Sequence, residues 1–111
     1  AGRDFSGARI RQADLSLATA DHARFRGANM SLTNFFGARL AHADMSETNL
    51  EQATLVGAYL GYVNFSGAVM AGANLSGAEL TGATGLTQAQ LNTACGDATT
   101  VLPGGFTIPT C

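Results

Sequence analysis

Few residues in this chain carry the chemistry of a site. Histidine occurs twice, at His22 and His42, with Asp21 beside the first, and cysteine twice, at Cys95 and Cys111. The histidines stand 20 residues apart, and Tyr62 follows after another 20. Two neighbouring imidazoles with Asp21 close by could hold a metal ion, but they fall short of the three or four protein ligands of a zinc site. The plainer reading is an exposed aromatic ladder. No Ser-His-Asp set, Gly-rich phosphate loop or Cys-rich metal spacing occurs. The 14 glycines recur as regular punctuation and not as a nucleotide fingerprint. The expectation is therefore no catalytic residue, no cofactor and no metal.

The elements that position these residues follow from composition and period. The 111 residues suffice for one domain. Only 13% are charged, well below the roughly 25% usual in globular chains, and small residues abound, so the core must be narrow. Net charge is -2, too near neutral to argue for a polyanionic or polycationic partner such as nucleic acid. All six Lys or Arg residues are Arg and lie between Arg3 and Arg39, while five acids and no Arg or Lys follow Leu40. This gradient reads either as drift among solvated positions or as end-to-end attraction between molecules. No run of roughly 18 apolar residues occurs to cross a membrane. No signal peptide is evident, and the chain starts inside its repeat, as a mature or trimmed form would.

The repeat has a period of five. The large series is Phe5, Ile10, Leu15, Ala20, Phe25, Met30, Phe35, Leu40, Met45, Leu50, Leu55, Leu60, Phe65, Met70, Leu75 and Leu80; only Ala20 breaks it. Two residues before each member stands a small one, mostly Ala. Asp or Asn often lies between the two, and Ser and Gly often follow. Five steps scatter a series around a helix and flip it across a flat strand. The chain must therefore turn a corner every five residues, so that each large side chain points inward again. Only Ala fits beside a large residue in so narrow an interior, and Asp, Asn, Ser and Gly suit corners.

Stretches such as Ala73-Asn74-Leu75-Ser76-Gly77 and Ala28-Asn29-Met30-Ser31 resemble the pentapeptide-repeat family over residues 3 to 84. The resemblance implies a right-handed quadrilateral β-helix, all-β, with four repeats per coil. Sixteen repeats then make about four coils, a rod about 20 Å tall at the usual spacing of about 4.8 Å. Two departures stand out. Ala20 leaves a void of a kind that costs roughly 2–5 kcal/mol, unless Leu17 folds over it. Arg3 replaces the first small residue, which suggests a first coil frayed or capped at Ala1–Arg3.

The repeat (1–85) gives way to a cap (86–111) within the same domain. Thr87 and Gln90 form a capping box, Leu86 and Leu91 a staple, and Gly96 a C′ residue, which predicts a helix over Gln88–Cys95. Leu91 and Ala94 would cover Leu75 and Leu80; Val101, Leu102, Phe106 and Ile108 would cover the remaining core. Cys95 and Cys111 either form a disulfide pinning the tail, or remain free thiols. A disulfide points to the periplasm or secretion, free thiols to the cytoplasm.

With 20 residues per coil, residues 20 apart stack in columns. Asp4, Arg24, Asp44 and Asn64 predict a salt-bridge ladder. Leu17, Phe36, Val56, Tyr59 and Tyr62 form a candidate interaction surface, or else scattered surface hydrophobes. The function expected is a non-enzymatic structural or protein-interaction module, monomeric or a weak end-to-end homodimer, with no nucleic-acid or membrane partner. The family resemblance implies an alternative, a DNA-mimicking binder of a type II topoisomerase such as DNA gyrase. A rod of about 20 Å is short of a DNA turn of about 34 Å, and the arginines spoil the mimicry. A metal-binding or enzymatic role rests on His22 and His42 alone.

Overall fold

The computed structural model describes residues 3–111, so the chain end at Ala1 and Gly2, where fraying is expected, lies outside the described residues. From Gly7 to Gly82 every fifth residue has φ between 56° and 73°. Half of these are glycine; the others are Gln12, Leu17, His22, Leu32, His42, Glu47, Gln52 and Tyr62. Each stands two places after a central residue whose carbonyl accepts the N–H three places on, as Phe5 O does from Ala8 (2.9 Å) and Leu80 O from Ala83 (3.0 Å). This is the pattern of a type II turn, and it is the corner that the five-residue period demands. The preceding Asp or Asn holds the corner's start. Oδ1 of Asp14, Asn49 and Asn74 accepts the backbone N–H two residues on, at 3.0, 3.0 and 2.9 Å.

Parallel bridges set the register. One column runs Asp4, Arg24, Asp44, Asn64, Thr84, and three more repeat the 20-residue step. Four corners therefore close each coil. The residue before each central one turns both backbone groups toward the preceding coil: Asn49 donates to Ala28 O (3.0 Å) and accepts from Met30 N–H (2.8 Å).

The large series forms one column inside. It is buried from Phe25 to Leu80, whereas Phe5, Ile10, Leu15 and Ala20 are only partly covered. Thr33 and Thr48 replace Ala in the small series without an orphaned hydroxyl. Thr33 donates to Ile10 O and Thr48 to Met45 O, both at 2.8 Å.

The cap begins where the sequence predicts. In α1 (Gln88–Thr93), Gln90 N–H donates to Thr87 Oγ1 (3.1 Å) and Thr87 N–H to Gln90 Oε1 (2.7 Å). Gln90 Nε2 also donates to Phe65 O and Ala68 O (2.9 and 3.0 Å), which fixes the helix to the fourth coil. Leu91 and Ala94 are buried in the core. The helix stops before Cys95, because Cys95 pairs with the solenoid instead: its N–H donates to Ala73 O (2.9 Å), and its carbonyl accepts from Leu75 (2.7 Å).

The tail also differs from expectation. Thr84, Cys95 and Val101 bridge Asn64, Asn74 and Glu79 in turn, so this segment lays down a fifth, irregular coil with α1 inserted in it. Val101 thus takes an outward bridge position, exposed rather than covering core. Gly96 is no helix terminator but a buried bridge partner of Thr110. Leu102, Phe106 and Ile108 do pack against the core. With this extra layer the longest dimension is 31 Å.

Candidate interaction surface

The interaction residues expected from sequence fall on one side of the solenoid. Leu17, Phe36 and Val56 line one corner edge, Tyr59 stands on the next face, and Tyr62 occupies the following corner. Leu17 is 73% exposed, Phe36 50% and Tyr62 54%, while Val56 and Tyr59 are half-buried. Leu17 does not fold over Ala20. Its positive φ aims it outward and along the corner, where its Cδ2 occupies the space beside Gly37. The gap at Ala20 therefore stays open within a cavity of about 480 Å³. Phe5, Ile10, Leu15, Phe25 and Leu40 wall it, and Arg3 and Asp21 stand at it.

The second corner is the aromatic ladder. The His22 and His42 rings stack 5.0 Å apart at 3°, and His42 and Tyr62 at 5.0 Å and 7°. The Tyr62 ring covers Gly82, where any Cβ would collide with it. Between the two corners the Arg39 guanidinium lies 5.4 Å from the Tyr59 ring centroid, and its Nη2 is 3.7 Å from Asp21 Oδ2. Asp21 Oδ1 accepts the Ala41 N–H (3.1 Å). The ring faces are spent on one another and Asp21 on backbone and arginine, so the arrangement is structural before it is ligating.

The predicted ladder of Asp4, Arg24, Asp44 and Asn64 aligns along the backbone but forms no ion pairs. Among the described residues the salt bridges are Arg26–Glu47 and Arg39–Asp21. The acids have been turned to their own corners. Asp4 Oδ1 accepts from Ser6 N–H (2.9 Å), and Asp44 Oδ1 from Ser46 N–H (2.9 Å) and Oγ (2.6 Å). Hydrogen bonds from the hydroxyl and then the N–H of Ser6, Ser16 and Thr99 hold Asp4, Asp14 and Asp97 below their ordinary range.

Cys95 and Cys111 are bonded, with sulfurs 1.96 Å apart and Cα atoms 4.8 Å apart. Three exposed apolar residues escaped the sequence reading: Leu32, Val69 and Val101. The column rule places Leu32 and Val69 outward and would have found them. Val101 lies past the repeat, where the rule lapses.

The 20-residue register with a turn at every fifth residue is what the sequence profile described as Pentapeptide repeats encodes. That profile matches in eight copies, over residues 4–35, 33–70, 49–84 and 58–95. The chain belongs to the pentapeptide-repeat family. Among solved structures, this pentapeptide-repeat protein is similar to one from the Arabidopsis thaliana thylakoid lumen. Identity there is 29% and TM-score 0.47, over 89% of this chain but only 57% of that one. It is also similar to Rfr23 of the cyanobacterium Cyanothece 51142, at 26% identity and TM-score 0.46, covering 90% and 88% of the two chains. QnrB1, a plasmid-mediated fluoroquinolone resistance protein, is 22% identical at TM-score 0.49, covering 96% and 62%. No curated protein matches the chain.

Proposed function

We propose that this protein is a non-enzymatic interaction module that presents one side of a right-handed four-sided solenoid to another protein. One observation carries the reading. Two apolar corners, Leu17–Phe36–Val56 and the edge of the His22–His42–Tyr62 stack, flank a face that displays Arg39 and Tyr59. The backbone beneath is already fixed: Phe36 N–H is held by Asn34 Oδ1 (2.9 Å), and Gly37 N–H by Val56 O (2.9 Å). Little ordering entropy is then lost on contact, which favours apolar and aromatic anchors of this kind. The repeat (1–85) and cap (86–111) act as one domain. The Cys95–Cys111 bond supports an oxidising compartment, the periplasm or the outside of the cell.

Affinity capture from a lysate of the source organism tests the side. The wild type is expected to retain a protein that Phe36→Asp and Tyr62→Asp release, with the far-UV spectrum unchanged. Retention of the same protein by both variants would move the contact elsewhere. The gyrase-mimic alternative draws no support from the charge layout, with all six arginines in the first two coils. No inhibition of gyrase supercoiling is expected at sub-micromolar protein, and inhibition there would revive that alternative.

A further inference from the structure

The side proposed as a partner surface carries a pattern that complements itself. Its face is the bridge column Thr19, Arg39, Tyr59, Glu79 and Val101, one residue per coil. Tyr59 stands in the middle, with a base one coil before it and an acid one coil after. Both charges reach solvent. The Arg39 side chain is 59% exposed, with its guanidinium 5.4 Å from the Tyr59 ring centroid. Glu79 is exposed, accepts from Thr81 Oγ1 (3.3 Å) and joins no salt bridge among the described residues. The flanking corner is uneven in the same direction. Phe36 projects from coil two and Val56 from coil three, but coil four offers only Ser76 and Gly77 there.

We infer that the partner of this side is a second copy of this protein, packed face to face and antiparallel about a two-fold axis at Tyr59. The inference rests on the reading of this side as a partner surface and names its occupant. Two-fold pairs are the commonest homo-oligomers, and they require one patch that fits itself. An axis running across the solenoid at coil three reverses the coil order between copies. It sets Arg39 opposite Glu79 of the second copy, twice, and Thr19 opposite Val101. Tyr59 and Val56 then meet their own counterparts on the axis. The same operation brings Phe36 of each copy over the low corner at Ser76 and Gly77 of the other. An axis along the solenoid would instead set Arg39 against Arg39 and Glu79 against Glu79, and like charges facing each other are costly. The charges therefore select the antiparallel pair. Size agrees. A molecule with extents of 31 and 24 Å buries on the order of 600 Å² per copy through one side, about 1,200 Å² in all, the low end of specific interfaces.

Sedimentation equilibrium of the 111-residue chain over roughly 1–100 µM tests this pairing. A reversible monomer–dimer equilibrium is expected. Arg39→Glu puts acid against acid twice and should weaken the dimer at least ~10-fold. Adding Glu79→Arg to that variant reverses both charges and should restore most of the affinity. Thermal melts followed at monomeric concentration separate dimer loss from misfolding. A wild type monomeric throughout, a dimer indifferent to Arg39→Glu, or one that the added Glu79→Arg fails to restore would each overturn the inference. None of these outcomes overturns the broader reading of the side, which fails instead if Phe36→Asp and Tyr62→Asp both retain the captured protein.

Discussion

The first and last repeat coils among the described residues are covered to different degrees. At the C-terminal end Leu75 and Leu80 are fully buried beneath a fifth coil, α1 and a disulfide-tied tail. At the other end Phe5, Ile10 and Leu15 are only partly covered. A repeat cannot bury its own last layer, and after Leu80 a different sequence does so. Coil four also differs from the other three at its corners. In coil four all four turn positions, Gly67, Gly72, Gly77 and Gly82, are glycine, and in coil one only Gly7 is. The reason is space as well as φ. Glu47, Gln52 and Tyr62 of coil three lean over Gly67, Gly72 and Gly82, so a Cβ would meet the first two at 3.2 and 3.1 Å and collide with the Tyr62 ring at the third. Corners of coil one carry no such overhang from the described residues, and Gln12, Leu17 and His22 stand there.

Substitutions can break this contrast, beginning with the core. Leu60→Ala or Leu91→Ala, at fully buried positions, should cost roughly 2–5 kcal/mol in urea unfolding. Leu15→Ala should cost about 1 kcal/mol, since its side chain is only partly removed from water. Equal losses would mean that the first coil is covered in solution at the concentration used. Next is the clasp. Replacing Cys95 and Cys111 together by Ser should cost roughly 3 kcal/mol by the chain-entropy argument for a loop of about 15 residues. Intact mass after alkylation in denaturant without reductant reads the bond directly, and two added alkyl groups on wild type would refute it.

The corners give a smaller, graded effect. Gly82→Ala meets both a positive φ and the Tyr62 ring, whereas Gly57→Ala, with nothing within 4 Å of its Cβ, meets the φ alone. The latter should cost about 1–2 kcal/mol and the former more. Filling the gap at Ala20 instead, Ala20→Leu should raise the melting temperature by a few degrees, because the cavity beside it is unfilled. A clear fall would mean that side chains close the gap in solution.

How much of this was legible in the sequence depends on which atoms carry the information. The inward ladder and the capping box at Thr87 are written in side-chain types, and both could be read. The positive φ at Leu17, His22 and Tyr62 could not be, because those residues give no sign of the left-handed region that glycine advertises. Three expectations are displaced, each by a different feature. Its place in the sequence offers Leu17 as a cover for Ala20, but its φ sends it along the corner. The column pattern pairs Arg24 with Asp4 and Asp44, but both acids hold their own turns. The tail could be seen to cover core, but its pairing with Asn74 and Glu79 uses backbone groups, which every sequence has.

The smallest expected effect is the acid response. Asp4, Asp14 and Asp97 have folded pKa values lowered from 3.8, so the stability they add is complete above that value. It is lost as pH falls through the lowered folded values. Melting temperature should thus fall as pH is lowered below about 4. Asp97→Asn, at the capped end, should lower the melting temperature at neutral pH and flatten the acid limb.

Native-state hydrogen exchange, residue by residue, tests the polarity of the solenoid most directly. The amides of Leu50, Leu55, Leu60, Leu75 and Leu80 should exchange only by global opening. Those of Ile10 and Leu15, bonded to Asn29 and Asn34 at 2.8 Å, should exchange at least ~100-fold faster through local fraying of the first coil. Uniform protection from Ile10 to Leu80, or faster exchange at Leu75 and Leu80 than at Ile10 and Leu15, would contradict a partly covered first described coil and a sealed last one.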